Sequence, residues 1–333
     1  MLRKIKTSVA AALCCTALGA GAAGCDGDAL ENWDPLASPT RAAGAATGTP
    51  GTGAPAPGTG TPTPGIGTPE TDAAPISGTR KIQVAGRSVN VSCSGDVPGK
   101  GGPVVVLLHG AGDGLDKLAA FQKTLSARHR VCSYDRLGAG ASDKPAGPQD
   151  FAATGGILTG VLDRVAGDRP VVLAGHSLGG LIAARYAPDH TDRVKGLVLM
   201  DATPPTMMAD VKKAIPESAT GPAAELRAQN LAVFQGQNPE LLVIPDGAVR
   251  PAGDIPVEVI QHGTKYLAAI PQHGPRLERA WAAGQREWLA LSPAAKLTTA
   301  PGSGHHIYVD QPEVAVQAID RVTARAVRQA PGE

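Results

Sequence analysis

The chain has 333 residues, 31 basic and 30 acidic side chains and a formal net charge of +1. That balance excludes a general electrostatic attraction to nucleic acid or to another strongly charged partner. Glycine (42), proline (29) and alanine account for the low aromatic fraction, and no aromatic-basic stripe for reading nucleic acid is present.

In chain order, Arg3, Lys4 and Lys6 precede an Ala-rich stretch from about Thr7 to Gly24, too short and weakly apolar for a membrane span. Residues 1–25 therefore read as an export signal. Ala22-Ala23-Gly24-Cys25 is lipobox-like, and cleavage there would leave Cys25 as a lipidated first residue. Ala22 stands where such boxes usually carry leucine, so plain secretion after an Ala-x-Ala site is the alternative. Gly19 to Gly24 matches G-x-G-x-x-G, but it lies in the leader rather than between a strand and a helix, and it carries no nucleotide reading. Residues 26–78, rich in Thr, Pro, Gly and Ala, have too little apolar surface to offset the entropy of ordering and read as a disordered tether. Residues 79–333 are long enough for one domain with a sizeable core.

Within that domain, Lys81–Val84 and Ser88–Cys93 predict a hairpin through Ala85-Gly86-Arg87. Pro103 to Leu108 is a continuous apolar run, the pattern of a buried strand, and it ends in the Gly-rich turn His109-Gly110-Ala111-Gly112. A helix is expected over 115–127, a strand at 130–134 and a second helix over 150–165, where Ile157, Leu158, Val161, Leu162 and Val165 fall at helical spacing. Val171 to Ala174 then leads into Gly175-His176-Ser177-Leu178-Gly179. G-x-S-x-G between a buried strand and a helix puts a serine at the tip of a strained turn, exposed to a cleft. Gly196 to Met200 is a strand ending in Asp201, Pro256 to Gln261 another, and Lys296 to Ala300 a last one before Pro301-Gly302-Ser303-Gly304-His305-His306. Alternating strands and helices imply a mostly parallel sheet covered on both faces, with chemistry at the carboxyl ends of the strands.

Serine, aspartate and histidine thus occur in the order of a nucleophilic triad. Together with Tyr134-Asp135-Arg136-Leu137-Gly138-Ala139-Gly140-Ala141-Ser142, these motifs make residues 79–329 resemble the α/β-hydrolase superfamily, in particular secreted actinobacterial members. The resemblance implies an α/β-hydrolase fold with an eight-stranded sheet ordered 1-2-4-3-5-6-7-8. It implies Ser177 as nucleophile, His305 as general base, and the NH groups of Ala111 and Leu178 as oxyanion hole. No metal or organic cofactor is required. In most of the superfamily the acid follows the seventh strand, where this chain has His262-Gly263-Thr264; some members place it one strand earlier, which selects Asp201. Glu258, inside its strand, is the weaker candidate, and Asp310 reads as a helix-entry residue. The same strand order makes Cys93 and Cys132 neighbours and a disulfide reasonable in an exported protein, against two buried thiols.

Residues 203–255 break the alternation and are expected to form a short cap or lid. Its Met207, Met208, Leu231, Val233 and Phe234 either line an acyl pocket or pack the cap. Asp135 and Arg136 are expected to pin a turn and His109 to orient the oxyanion turn, while His262 and His273 lie near the cap side. The reading is an exported serine hydrolase acting on a small-molecule ester, held to the outer face of the membrane if Cys25 is lipidated. A peptidase, amidase or acyltransferase on the same triad, and a non-catalytic binding lipoprotein, are the alternatives.

Overall fold

In a computed structural model of the chain, residues 75–99 and 102–329 are described. The expected signal, Cys25 and the tether up to residue 74 lie outside the described residues. Ordered packing begins slightly before residue 79, because Ile76 is buried in the core and its carbonyl oxygen accepts from the Arg130 guanidinium.

The chain opens with β1 (Gly78–Val84) and β2 (Arg87–Ser94), joined by Ala85 and Gly86, both at positive φ (49° and 72°). Two such residues give the twist that a tight hairpin needs. Then follow β3 (Val104–Leu108), α1 (Ala119–Leu125), β4 (Val131–Tyr134), α2 (Phe151–Ala166), β5 (Val171–His176), α3 (Leu178–Tyr186) and β6 (Val194–Met200). After β6 come α4 (Met207–Ala214) and α5 (Pro222–Phe234), then β7 (Val257–His262), α6 (Gly274–Glu287), β8 (Ala295–Ala300), α7 (Ile307–Asp310) and α8 (Pro312–Gln329). Helix α1 starts later than its periodicity predicts, because the Leu115 NH is held by the Asp135 carboxylate (2.7 Å) and residues 115–118 form turns. Asp150 caps α2 by accepting from the Ala153 NH at 2.8 Å.

The eight strands form one sheet in the order β1-β2-β4-β3-β5-β6-β7-β8, antiparallel at the β1/β2 and β2/β4 pairs and parallel beyond. This is the α/β-hydrolase fold. Strand alternation divides the core between the faces: Val104, Val106 and Leu108 pack with α2 and α3, whereas Val105 and Leu107 pack with α1 and α8. Both faces being covered explains why β3 and β5 read as unbroken apolar runs.

Cys93 and Cys132 lie directly opposite each other on β2 and β4 and form a disulfide, with Cα atoms 4.1 Å apart. Their sequence separation of 39 corresponds to roughly 4 kcal/mol in the chain-entropy account of loop closure. The Cys93→Ser/Cys132→Ser pair should therefore lower the unfolding free energy extracted from urea curves by an amount of that order, with a lower midpoint. Identical unfolding curves for the variant and the oxidised wild type would rule this contribution out.

Candidate active site

The site is built where β5, β6 and the loop after β8 end together. Ser177 sits between β5 and α3 with φ 50° and ψ −120°, a left-handed conformation that costs a non-glycine residue about 1–3 kcal/mol. The glycines around it permit this turn. A Cβ on Gly179 would lie 2.3 Å from the Leu108 carbonyl oxygen, and one on Gly175 would lie 2.4 Å from the Gly179 oxygen. Ser177 is consequently held against the end of β3. Its NH donates to the Met200 carbonyl (3.2 Å), and its carbonyl accepts from Thr203 NH (3.1 Å). Its hydroxyl lies 3.5 Å from that of Thr203, a residue the sequence reading did not select.

Asp201 is fully buried at the end of β6 and also has a positive φ, 45°. Its Oδ2 accepts from His305 Nδ1 at 2.7 Å. Its Oδ1 accepts from Trp281 Nε1 (2.8 Å), His262 Nδ1 (2.9 Å) and the His262 NH (3.2 Å). Burial alone would raise its pKa, but the hydrogen bonds from His262 and His305 outweigh burial and hold it well below the usual carboxylate range. An ionised carboxylate only accepts, so the His305 proton resides on Nδ1 and Nε2 is left free to accept one. Tyr266 stands behind the same edge, its hydroxyl 3.3 Å from His305 Nδ1.

At the end of β7, next to the position where the resemblance leads one to expect a carboxylate, stands His262. Its ring bridges two carboxylates, with Nδ1 on Asp201 and Nε2 3.0 Å from Glu278 Oε2 on α6. Burial works against the charge, but the hydrogen bonds to Asp201 and Glu278 prevail and push the pKa up to about 9. A value that high favours the cationic ring at neutral pH, so His262 partners Asp201 as a donor. Helix α6, which the sequence reading did not predict, supplies both Glu278 and Trp281. Leu277 and Trp281, four residues apart with Gly284 and Gln285 continuing the same buried face, were its legible signal.

The other candidates are placed elsewhere. Glu258 is buried along β7 and forms two 3.0 Å hydrogen bonds with Arg321 of α8, away from His305. Asp310 does not open a helix; it ends α7 and closes the histidine loop, accepting from Gly304 NH (2.9 Å) and Ser303 Oγ (3.1 Å). His273 donates to or accepts nothing at Asp201; its Nδ1 lies 3.0 Å from the Ala214 carbonyl. His306 sits next to the base but not on Asp201, and burial, with His305 beside it, lowers its pKa to about 4. Burial lowers that of His176 as well, and its ring packs 4.6 Å from the His305 ring, with Nε2 3.1 Å from the His305 carbonyl oxygen.

Ala111 and Leu178 face one small cavity of about 120 Å³, shared with Leu242 and Val233. Leu178 opens α3, so its NH is among those a helix start leaves without an intrahelical acceptor. The Ala111 turn is fixed from below. Arg136 donates to the His109 and Gly110 carbonyls (2.6 and 2.7 Å) while paired with Glu240 at 2.6 and 2.9 Å. His109 Nε2 accepts from the Arg136 NH (3.2 Å), so its Nδ1 carries the proton and donates to the Gly110 carbonyl (2.8 Å). Asp135 holds the turns at Leu115 and Ala141. Neither the small cavity nor a larger one of about 610 Å³ by Phe151, Arg185 and Tyr186 is lined by Ser177, Asp201 or His305; the smaller reaches their neighbourhood through Ala111 and Leu178. Of the cap residues weighed from sequence, Val233 lines that smaller cavity, Met207 packs near Trp281, and Leu231 and Phe234 are buried.

Residues 103–235 match the alpha/beta hydrolase fold family. Over 100 residues the chain is 37% identical to the human (Lyso)-N-acylphosphatidylethanolamine lipase, covering 29% of each chain. Over 144 residues it is 31% identical to a putative carbamate hydrolase, RutD, of Azorhizobium caulinodans, covering 42% of this chain and 53% of that one. The chain therefore spans from under a third to about half of the length of these relatives. Among solved structures, it is similar to the carboxylesterase CesB (YbfK) of Bacillus subtilis (TM-score 0.52, 17% identity, 74% of this chain and 91% of that one). It is also similar to an enol-lactonase of Burkholderia xenovorans LB400 (TM-score 0.53, 20% identity, 74% and 100%). At these identities the structural likeness establishes the fold.

The His262 bridge has a pH signature. Because its folded value of about 9 lies above the ordinary 6.5, its stabilisation is complete below about pH 6.5 and is lost as pH rises through 9. Urea unfolding followed across that window should show wild-type stability falling more than that of His262→Gln. Parallel curves would show that the bridge contributes no such linkage.

Proposed function

We propose that this chain is a serine hydrolase that cleaves carboxylic esters of small acyl groups through an acyl-enzyme. The observation that carries the reading is the 2.7 Å bond from buried Asp201 to His305 Nδ1, at a site where Ser177 occupies a strained turn at the head of α3. A free serine hydroxyl is a weak nucleophile at neutral pH, so His305 Nε2 takes its proton as the Oγ–carbon bond forms. The carbonyl oxygen becomes an alkoxide and receives the NH groups of Ala111 and Leu178. Asp201 offsets the imidazolium charge and keeps the proton on Nδ1. The C–O bond to the leaving group then breaks and His305 returns the proton to the departing alcohol. A water, deprotonated by the same histidine, releases the acid and restores Ser177.

The cavity beside Ala111 and Leu178 is about 120 Å³, which supports a short acyl chain rather than a long one. Among the described residues no hydrogen bond joins Ser177 Oγ to His305, the serine hydroxyl lying instead 3.5 Å from that of Thr203; the reading requires that contact to form when substrate binds, as catalytic contacts commonly do. The names of the relatives, a lipase and a carbamate hydrolase, extend the reading to esters and amides of the same chemistry. We further propose export, with Cys25 as the lipid attachment point and residues 26–78 as the tether. The Cys93–Cys132 disulfide supports this, since such bonds persist in oxidising compartments.

A fluorophosphonate probe should label the full chain and fail to label Ser177→Ala, whose kcat on p-nitrophenyl acetate should fall by about 10^6. Turnover should decline from acetyl and butyryl esters to octanoyl and longer ones. Equal labelling of the variant, or no hydrolysis by a folded wild type, would overturn the assignment. Asp201→Asn should lose about 10^4 in kcat, while Glu258→Gln, which disturbs only the contact with Arg321, should retain activity. The reverse pattern would move the acid to Glu258.

A further inference from the structure

Beside the oxyanion turn lies a group of side chains to which the hydrolytic mechanism gives no role, although Asp113 also lines the small cavity next to Ala111. Asp113, two residues beyond Ala111, His176 at the end of β5 and His306 on the histidine loop each direct one potential ligand atom to a common point, and those atoms all lie within 4.8 Å of one another. His176 is about 1% exposed, and its Nε2 is committed to the His305 carbonyl. Its Nδ1 is buried and has no hydrogen-bond partner among the described residues.

An unpartnered ring nitrogen in such a position costs stability unless something occupies the space before it. The backbone keeps that space open. A Cβ on Gly110 would lie 2.8 Å from Asp113 Oδ2 and 2.9 Å from His176 Nδ1, so any side chain at 110 would fill the gap between the two. The ring centroids of His176 and His306 are 5.0 Å apart, with the ring planes inclined by 34°.

We propose that Asp113, His176 and His306 form a binding site for one divalent zinc-type ion, separate from Ser177 and fastening the oxyanion turn to the histidine loop. Two imidazoles and one carboxylate are a borderline donor set, suited to zinc and its first-row neighbours and poorly suited to magnesium or calcium, which take oxygen. Zinc–nitrogen and zinc–oxygen bonds of about 2.0–2.2 Å bring tetrahedral donors to roughly 3.4 Å from one another. The three atoms, starting within 4.8 Å, reach that by small side-chain rotations. The fourth position faces solvent through the half-buried Asp113 and His306. The Nε2 contact between His176 and the His305 carbonyl supplies the outer-shell support that metal-binding histidines ordinarily have. Occupancy would link three segments, the turn bearing Ala111, the strand end before Ser177 and the loop bearing His305, without using the catalytic ring nitrogens.

The test is calorimetric titration of ZnCl2 into metal-free full chain with its free thiols alkylated, in the Ser177→Ala background. Hydrolytic activity is then irrelevant to the readout, so failure of the site and failure of the hydrolase reading are distinguishable. Binding of about one equivalent is expected, with a higher melting temperature than in EDTA. Asp113→Asn and His306→Gln should each weaken the affinity at least about tenfold, MgCl2 should not bind, and His305→Gln should retain zinc. No saturable zinc binding would overturn the proposal. So would binding that survives both ligand variants or is lost in His305→Gln, which would assign the zinc to the triad histidine.

Discussion

Everything at this site hangs on one buried carboxylate. Asp201 is removed from water at the end of β6, in a backbone conformation unfavourable for a non-glycine residue, and is kept ionised by donors from three separate segments. An isolated ionised carboxylate at that depth would protonate. His305, His262 and Trp281 prevent it, and in doing so they bring the loop after β8, the end of β7 and helix α6 to one point. Asp201 therefore orients the His305 ring and organises the carboxyl edge of the sheet.

A second buried charge pair does the same for the oxyanion side. Arg136 spans from the β4 turn to the His109 and Gly110 carbonyls while Glu240, from the segment after α5, neutralises it. A buried guanidinium needs that partner, because removing one member of such a pair leaves an uncompensated charge worth about 3–5 kcal/mol. The segment that follows β6 is thereby coupled to the turn that bears Ala111. The two charge clusters hold the His305 ring and the Ala111 turn independently.

Much of this was legible in the sequence because strong local constraints dictate it. Continuous apolar runs mark β3 and β5, since both faces of the sheet are covered, and the glycines of Gly175-His176-Ser177-Leu178-Gly179 mark a turn that backbone crowding allows only to them. The strand order that follows from the resemblance made β2 and β4 neighbours, and the structure sets Cys93 directly opposite Cys132 in that pair. Asp201 entered only through the resemblance: the usual position of the acid after the seventh strand carries no carboxylate here, and some members of the superfamily place it one strand earlier. The support around it was not. His262, Glu278 and Trp281 meet Asp201 only through tertiary packing of α6 on the sheet edge, and nothing local distinguishes His262 from any histidine at a strand end. Asp310 was misread for a similar reason: its position before Gln311-Pro312 resembles a helix entry, but its carboxylate turns back to the Gly304 NH.

The most direct test of this account is the ring-nitrogen chemical shifts of His305 in histidine-labelled full chain at neutral pH, compared with Asp201→Asn. If Asp201 fixes the base, His305 in the wild type is protonated at Nδ1 and bare at Nε2, and the asparagine variant loses that preference. A wild-type His305 protonated at Nε2, or a tautomer unchanged by Asp201→Asn, would contradict the claim that this carboxylate sets up the nucleophile.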